Sequence, residues 1–237
     1  MNLKKSPILL FSLVFAAYSL TTIAKKDEFP EVTEDGLHRV HDSEMAIVYV
    51  EPGADFAPYK RVILLESTVA FKKNWARDQR SRSASKLSTS ARVNTKKIKQ
   101  ELADEFETVF TEALRNGGYE VVEEAADDVL LIRPSIVNLD INAPETYGSG
   151  RSNTYTRSAG EMTLYIELFD SVTGDLLAKA LDRGIDNPND TGFYTWTNSQ
   201  TNKAASVRIL RGWADILLNA LNEARSYPVA AEPEPGS

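Results

Sequence analysis

A chain of 237 residues without cysteine has no disulfide, no thiolate nucleophile and no cysteine-based metal site, and its two histidines leave little for imidazole chemistry. The formal charge is −7 at pH 7, and its uneven spread suggests either an anionic partner for one segment or a solvated loop and helix flank balancing an otherwise acidic chain.

Lys4 and Lys5 precede an apolar run from Ile8 to Leu20 that is short for a bilayer span and ends in small residues before Lys25. That is the pattern of a secretory signal peptide, with cleavage expected after Ala24; an uncleaved anchor is the alternative. No later stretch is apolar enough to cross a membrane. The mature chain is therefore expected to be periplasmic or secreted, with no transmembrane span and no cysteine for a lipid anchor at the cleavage site. Removing residues 1–24 leaves 213 residues and takes the charge from −7 to −9, enough chain for one sizeable domain with its own core. The expected organisation is a signal peptide at 1–24, a loose lead-in at 25–44, a single domain at 45–226 and a disordered tail at 227–237.

The lead-in carries His38 and His41, expected to be exposed rather than ligands. Ala46–Val50 reads as a short strand stopped by the Pro52-Gly53 turn. Val62–Phe71 reads as a longer one, with Ile63, Leu65, Val69 and Phe71 on one face. Asn74–Ser90 is polar, basic and serine-rich, and is expected to be a mobile loop. Between Lys72 and Lys99 ten basic residues face a single acid, Asp78, so this segment is +9 and the rest of the mature chain −18.

A long amphipathic helix is expected from Ala91 or Thr95 to Asn116. Ile98, Leu102, Phe106, Val109 and Ala113 recur at three- and four-residue spacing, and Phe110 and Leu114 widen the stripe. Gly117 and Gly118 supply a left-handed stop. Tyr119–Val122 is a short strand and Val129–Asn142 a long one whose phase changes: Leu130 and Ile132 share one face, Val137, Leu139 and Ile141 the other. Pro134 lies between them and cannot donate to a ladder, so a bulge or an edge position is expected there.

Asn142–Gly160 is a Gly/Ser/Thr loop without an apolar face. It opens onto a hairpin in which Met162, Leu164, Ile166 and Leu168 alternate with polar and aromatic residues, Gly174 closes the turn, and Leu176–Asp182 returns. A polar passage follows, and a last helix from about Thr201 to Arg225 carries Val207, Leu210, Ala214, Leu217 and Leu221 as its core stripe, with Trp213 beside it. The element order β-β-α-β-β-β-β-α, with helices enough for one face, predicts an α+β two-layer sandwich: a mixed, mainly antiparallel sheet with two amphipathic helices on one face.

Catalytic patterns are sparse. There is no G-x-S-x-G elbow, and GSGRSNTYTRSAG matches neither a phosphate loop nor a dinucleotide fingerprint, so no cofactor and no metal are expected. Asp140, Glu145 and Glu161, at the mouth of the polar loop, are the carboxylates that a hydrolase of envelope glycans would use. Arg151, Asn153, Tyr155 and Arg157 in the loop, with Trp196 and Asn198 after the hairpin, form a candidate ligand set. Arginine forks suit carboxylate or phosphate, and an aromatic among amides suits a sugar ring. Lys72, Lys73, Arg77, Arg80, Arg82 and Lys86 are the candidate contacts to an anionic surface: lipid headgroups, lipopolysaccharide or wall polymer. Nucleic acid is not expected, since the segment has only Trp75 for stacking and no nucleic-acid motif.

Three blocks carry a family resemblance: YVEPGADFAPYKRVILLESTVAFKKNWARD (Tyr49–Asp78), LDINAPETYGSGRSNTYTRSAGEMTLYIELFDSVTGDLLAKALDR (Leu139–Arg183) and WTNSQTNKAASVRILRGWADILL (Trp196–Leu218). Across about residues 33–222 the chain resembles the bacterial family catalogued as domain of unknown function 3313. The resemblance implies exported envelope proteins, many of them lipoprotein-like, and carries no activity; this chain lacks the lipoprotein cysteine. The functional expectation is a non-enzymatic, envelope-associated binding or accessory module, partnered by an anionic envelope component or an envelope protein. The alternative is the hydrolase.

Overall fold

The computed structural model describes residues 29–84, 94–141, 154–156, 160–185, 195–197 and 199–226. The chain divides at Pro30, and the unit that begins at Glu31 holds every element named below. In chain order these are β1 (His38–Val40), β2 (Ile47–Val50), β3 (Arg61–Leu64), β4 (Thr68–Phe71), α1 (Trp75–Ala84), α2 (Thr95–Asn116), β5 (Glu120–Val121), β6 (Val129–Ile141), β7 (Thr154–Thr156), β8 (Gly160–Asp170), β9 (Leu176–Ile185), β10 (Thr195–Thr197) and α3 (Ser199–Ser226).

Eight strands form one sheet in the order β1-β2-β9-β8-β6-β3-β5, with β4 also paired to β6. The β1, β2, β9, β8 and β6 pairings are antiparallel, whereas β3, β4 and β5 run parallel to their neighbours. The expected mixed, mainly antiparallel sheet is what forms. Its spine is β6 against β8, where alternation sends Leu130, Ile132 and Ile136 to the same side as Leu164 and Ile166, all of them at most 1% exposed. Covering that side are α2, through Leu102, Phe106, Val109, Phe110 and Leu114, and α3, through Leu210, Trp213, Ala214, Leu217 and Leu221. Each leucine, valine or phenylalanine among them contributes roughly 1.5–3 kcal/mol by leaving water. A smaller cluster of Leu37, Ile47 and Tyr49, with Leu176 and Leu181 against it, is separate from this core.

The hairpin turn follows the expectation at Gly174, which adopts φ 76°. Asp170 organises it: one carboxylate oxygen accepts the Val172 and Thr173 amides at 2.8 and 2.7 Å, and the other accepts the Tyr59 hydroxyl at 2.8 Å. After α2, Gly118 takes φ 87°, and the Tyr119 amide reaches back to the Leu114 carbonyl at 2.9 Å. Gly117 allows α3 to approach, since a Cβ there would fall 2.1 Å from a Leu218 methyl.

Four expectations need correction. First, the lead-in is not loose from Leu37 onward: Leu37 is 1% exposed and β1 pairs with β2. Second, the 62–71 strand is two strands, and it is Val62, 0% exposed, and Leu64 that pack in the main core, not Ile63 and Leu65. Third, β6 has no bulge at Pro134, which pairs in register with Ile166 and is buried. Leu64 is paired with Ile132 and Thr68 with Ser135, so Pro134 lies opposite the break between β3 and β4, where a missing N–H interrupts the parallel ladder. The phase change comes at Asn138, with φ 54°, between the Val137–Thr163 and Asp140–Glu161 pairs. Fourth, the expected mobile loop begins as α1. Its first residue, Trp75, is 3% exposed, stacks on Phe71 at 4.2 Å and donates its indole N–H to the Ile141 carbonyl at 3.3 Å. The Gln79 amide donates to that carbonyl as well, at 2.9 Å. In α3 the buried stripe starts at Ala205, while Val207 is only half-buried. The tail at 227–237, like the proposed signal peptide, lies outside the described residues.

The helix faces give a direct test. Phe106→Ala is expected to cost about 3–5 kcal/mol as a core aromatic truncation. Glu107→Ala, on the exposed side, is expected to change stability by less than about 0.5 kcal/mol. Equal shifts in urea denaturation midpoint would place the helix the wrong way round.

Candidate functional site

The Asn138 bulge decides what the loop end of the sheet looks like. Before it, even-numbered residues of β6 face the helices; after it Leu139 does, at 5% exposed, and Asp140 points to the side away from them. There Asp140 is opposite Glu161 across the β6–β8 ladder. The chain leaving β4 joins them: the Lys72 amide donates to the Leu139 carbonyl at 3.0 Å, and its ammonium lies 3.0 Å from the Asp140 carboxylate and 3.5 Å from that of Glu161. Arg183 of β9, paired with Thr163, adds a guanidinium hydrogen bond to the second Glu161 oxygen.

Two acids and two bases thus lock together on a half-open surface. The Arg183 hydrogen bond, helped by Lys72, holds the Glu161 carboxyl below its ordinary range. Asp140, then Glu161, raises the Lys72 ammonium above its own. Because Lys72 and Arg183 are 50% and 59% exposed, solvent screens these pairs, and their contribution to stability is small. A general acid needs a carboxyl held protonated near neutral pH. Glu161 is held the other way.

Three segments leave the sheet at this end. The stretch following Lys72 enters α1, where Lys73 and Arg77 are exposed and the Arg77 guanidinium is 3.5 Å from the Asp78 carboxylate. The polar loop runs from β6 to β8, and the passage after β9 runs to α3. Within the last two, β7 and β10 form a separate antiparallel ladder whose register sets Tyr155 opposite Trp196. The sequence singled out those two residues in different segments, and the backbone brings them together. Of the other candidates, Arg80 and Arg82 fall on α1, whereas Lys86, Glu145, Arg151, Asn153, Arg157 and Asn198 lie outside the described residues. His38 falls in β1, and the exposed His41 ring is 2.9 Å from the Glu31 carboxylate. Among the described residues no group of three metal-ligating side chains converges, and no helix is long and apolar enough to cross a membrane.

Sequence reasoning missed Lys72 and Arg183 as the partners of Glu161. Counting outward from the hairpin turn would have set Asp182 opposite Thr163, but a bulge in the β8–β9 ladder near Phe169 moves the register by one and puts Arg183 there instead.

Arg183→Ala is expected to raise the Glu161 pKa, read from the carboxyl 13C shift across a pH titration. A carboxyl depressed in the folded state stabilises above its unfolded value, 4.5, and that contribution is lost as pH falls through the folded value. The stability gap between wild type and variant is therefore expected to close on acidification below that pH. An unchanged Glu161 titration would show that Arg183 is not its partner.

Solved structures similar to the chain include a PelC dodecamer from Paraburkholderia phytofirmans, at 11% identity and TM-score 0.34, covering 72% of this chain and 96% of that one. A minor lipoprotein from Acinetobacter baumannii matches at 10% identity and TM-score 0.34, covering 70% and 95%. The protein XCC0632 from Xanthomonas campestris, of family model DUF330, matches at 11% identity and TM-score 0.30, covering 75% and 86%. At these scores the likenesses carry no argument about partner or activity. No curated protein matches significantly. A family model does, over residues 31–217, most of the chain: the protein belongs to the family described as protein of unknown function DUF3313.

Proposed function

We propose that the protein is an exported, envelope-associated, non-enzymatic binding module that holds an anionic envelope component at the loop end of its sheet. One observation carries the reading. The start of the basic segment, the polar loop and the passage holding Trp196 all leave the sheet where Lys72, Asp140, Glu161 and Arg183 meet, and the last two segments are tied by the Tyr155–Trp196 pairing. Basic side chains beside a polar, aromatic-bearing loop suit phosphate or carboxylate groups on a lipid headgroup, a lipopolysaccharide or a wall polymer. The ion cluster serves this reading as a clamp: it ties the ends of β4, β6, β8 and β9 together, so that the loops are held on a fixed base. Glu161 lends the hydrolase reading no support as a general acid, because Arg183 and Lys72 hold its carboxyl below the ordinary range.

The test is co-sedimentation of the mature chain with phosphatidylglycerol vesicles, against phosphatidylcholine vesicles as the neutral control. Binding is expected at low ionic strength and should weaken toward 0.15 M salt, where the screening length is about 8 Å. Replacing Lys73, Arg77, Arg80, Arg82 and Lys86 with glutamine leaves the Lys72 clamp intact. Each basic residue near an anionic surface is worth up to about 1 kcal/mol, so the five together should remove most of the binding. A wild-type protein that stays in the supernatant at low salt contradicts the reading.

A further inference from the structure

A cavity of about 350 Å³ opens between the α3 segment Ile216–Ala224 and the strands β2, β8 and β9. Its origin is a mismatch of widths. Seven strands in line at ~4.8 Å spacing span roughly 29 Å. Two helices of about 10 Å each cover roughly two-thirds of that. The helices pack together, with α2 over the β4 and β5 side, so the β2–β9 side is left with α3 alone. Small side chains then leave the gap unfilled: Ala178 and Ala180 on β9 face Ala220 and Ala224 on α3, where leucines would have closed it. Val48, Val50 and Ile166 supply further apolar wall, and Met45 and Phe56, both buried, line it too.

The charged residues lining the cavity are three acids and one base. Asp42 and Glu44, from the turn before β2, and Glu223 of α3 are exposed, while the ammonium of Lys179 is paired to Asp35. The wall is therefore apolar and the mouth negative, the reverse of the basic segment at the loop end. Among the described residues, Lys72, Asp140, Glu161 and Arg183 take no part.

We propose that this cavity is a binding site for a single-chain amphiphile with a cationic head, its hydrocarbon chain inside and its head among Asp42, Glu44 and Glu223. The volume is in the range of small-molecule sites, and its apolar wall suits a hydrocarbon chain. Anionic amphiphiles are repelled at the mouth, and burial of the chain supplies the affinity. The site stands independently of the loop-end proposal, and either survives failure of the other.

Sub-micellar dodecyltrimethylammonium, titrated into the mature chain and followed by methyl 1H–13C shifts, tests it. The expected result is saturable shifts at Met45, Val48, Val50 and Ile166, with dodecyl sulfate binding more weakly. The double variant Ala180→Leu, Ala224→Leu fills the cavity and should weaken binding by about tenfold or more, since each methylene returned to water costs severalfold in affinity. A melting temperature at or above that of wild type certifies its fold. Asp42→Asn with Glu44→Gln and Glu223→Gln changes only exposed residues, and should erase the preference for the cationic head while retaining chain binding. Absence of saturable shifts, unchanged affinity in a folded double variant, or a preference for dodecyl sulfate would each overturn the proposal.

Discussion

A strand side chain has two directions available, and β6 uses both. Up to Ile136 its even-numbered residues face the helices; beyond Asn138, at φ 54°, Leu139 takes the inward place. An asparagine is among the few non-glycine residues that accept a left-handed backbone, so this one residue makes the switch at modest cost. Had the phase run on unbroken, Asp140 would have pointed under α2 and α3, and an unpaired carboxylate there would cost several kcal/mol. The bulge turns it outward instead, where Lys72, Glu161 and Arg183 complete a neutral cluster. The core and the candidate site thus follow from one backbone distortion.

The same sheet accounts for the position of the two proposed sites. Antiparallel strands with short turns can be added at little cost, but every helix needs its own stretch of chain, and among the described residues α2 and α3 are the helices whose buried stripes line the main core. At one end the long connections leave together and carry the polar and basic residues. Along the β2–β9 side the helix layer is thin, and alanines on both walls keep a space open. The two places have opposite charge.

Legibility followed periodicity. The α2 stripe from Ile98 to Leu114 and the alternation of Met162 to Leu168 could be read because each fixes a face by itself. Val62-Ile63-Leu64-Leu65 has no alternation, so only the neighbour β6 could decide that Val62 and Leu64 point inward. α1 has a single apolar anchor, Trp75, and its partners, Phe71 and the Ile141 carbonyl, lie on other elements; nothing within 75–84 announces a helix. β1 is three residues long and exists because β2 offers it an edge. At the site, the sequence found Asp140 and Glu161 by their place at a loop mouth. It could not find Arg183, because that pairing depends on a one-residue shift in the β8–β9 ladder.

The surface proposed to meet an anionic envelope component is the loop end of the sheet, not the helix layer. Hydrogen–deuterium exchange of the mature chain, with and without phosphatidylglycerol vesicles, reads this residue by residue. The account predicts slowed exchange in α1 and in the β7–β10 ladder, with α2 and the solvent side of α3 unchanged. Protection concentrated on the outer face of α2, with α1 and Thr154–Thr156 exchanging as in the free protein, would contradict it.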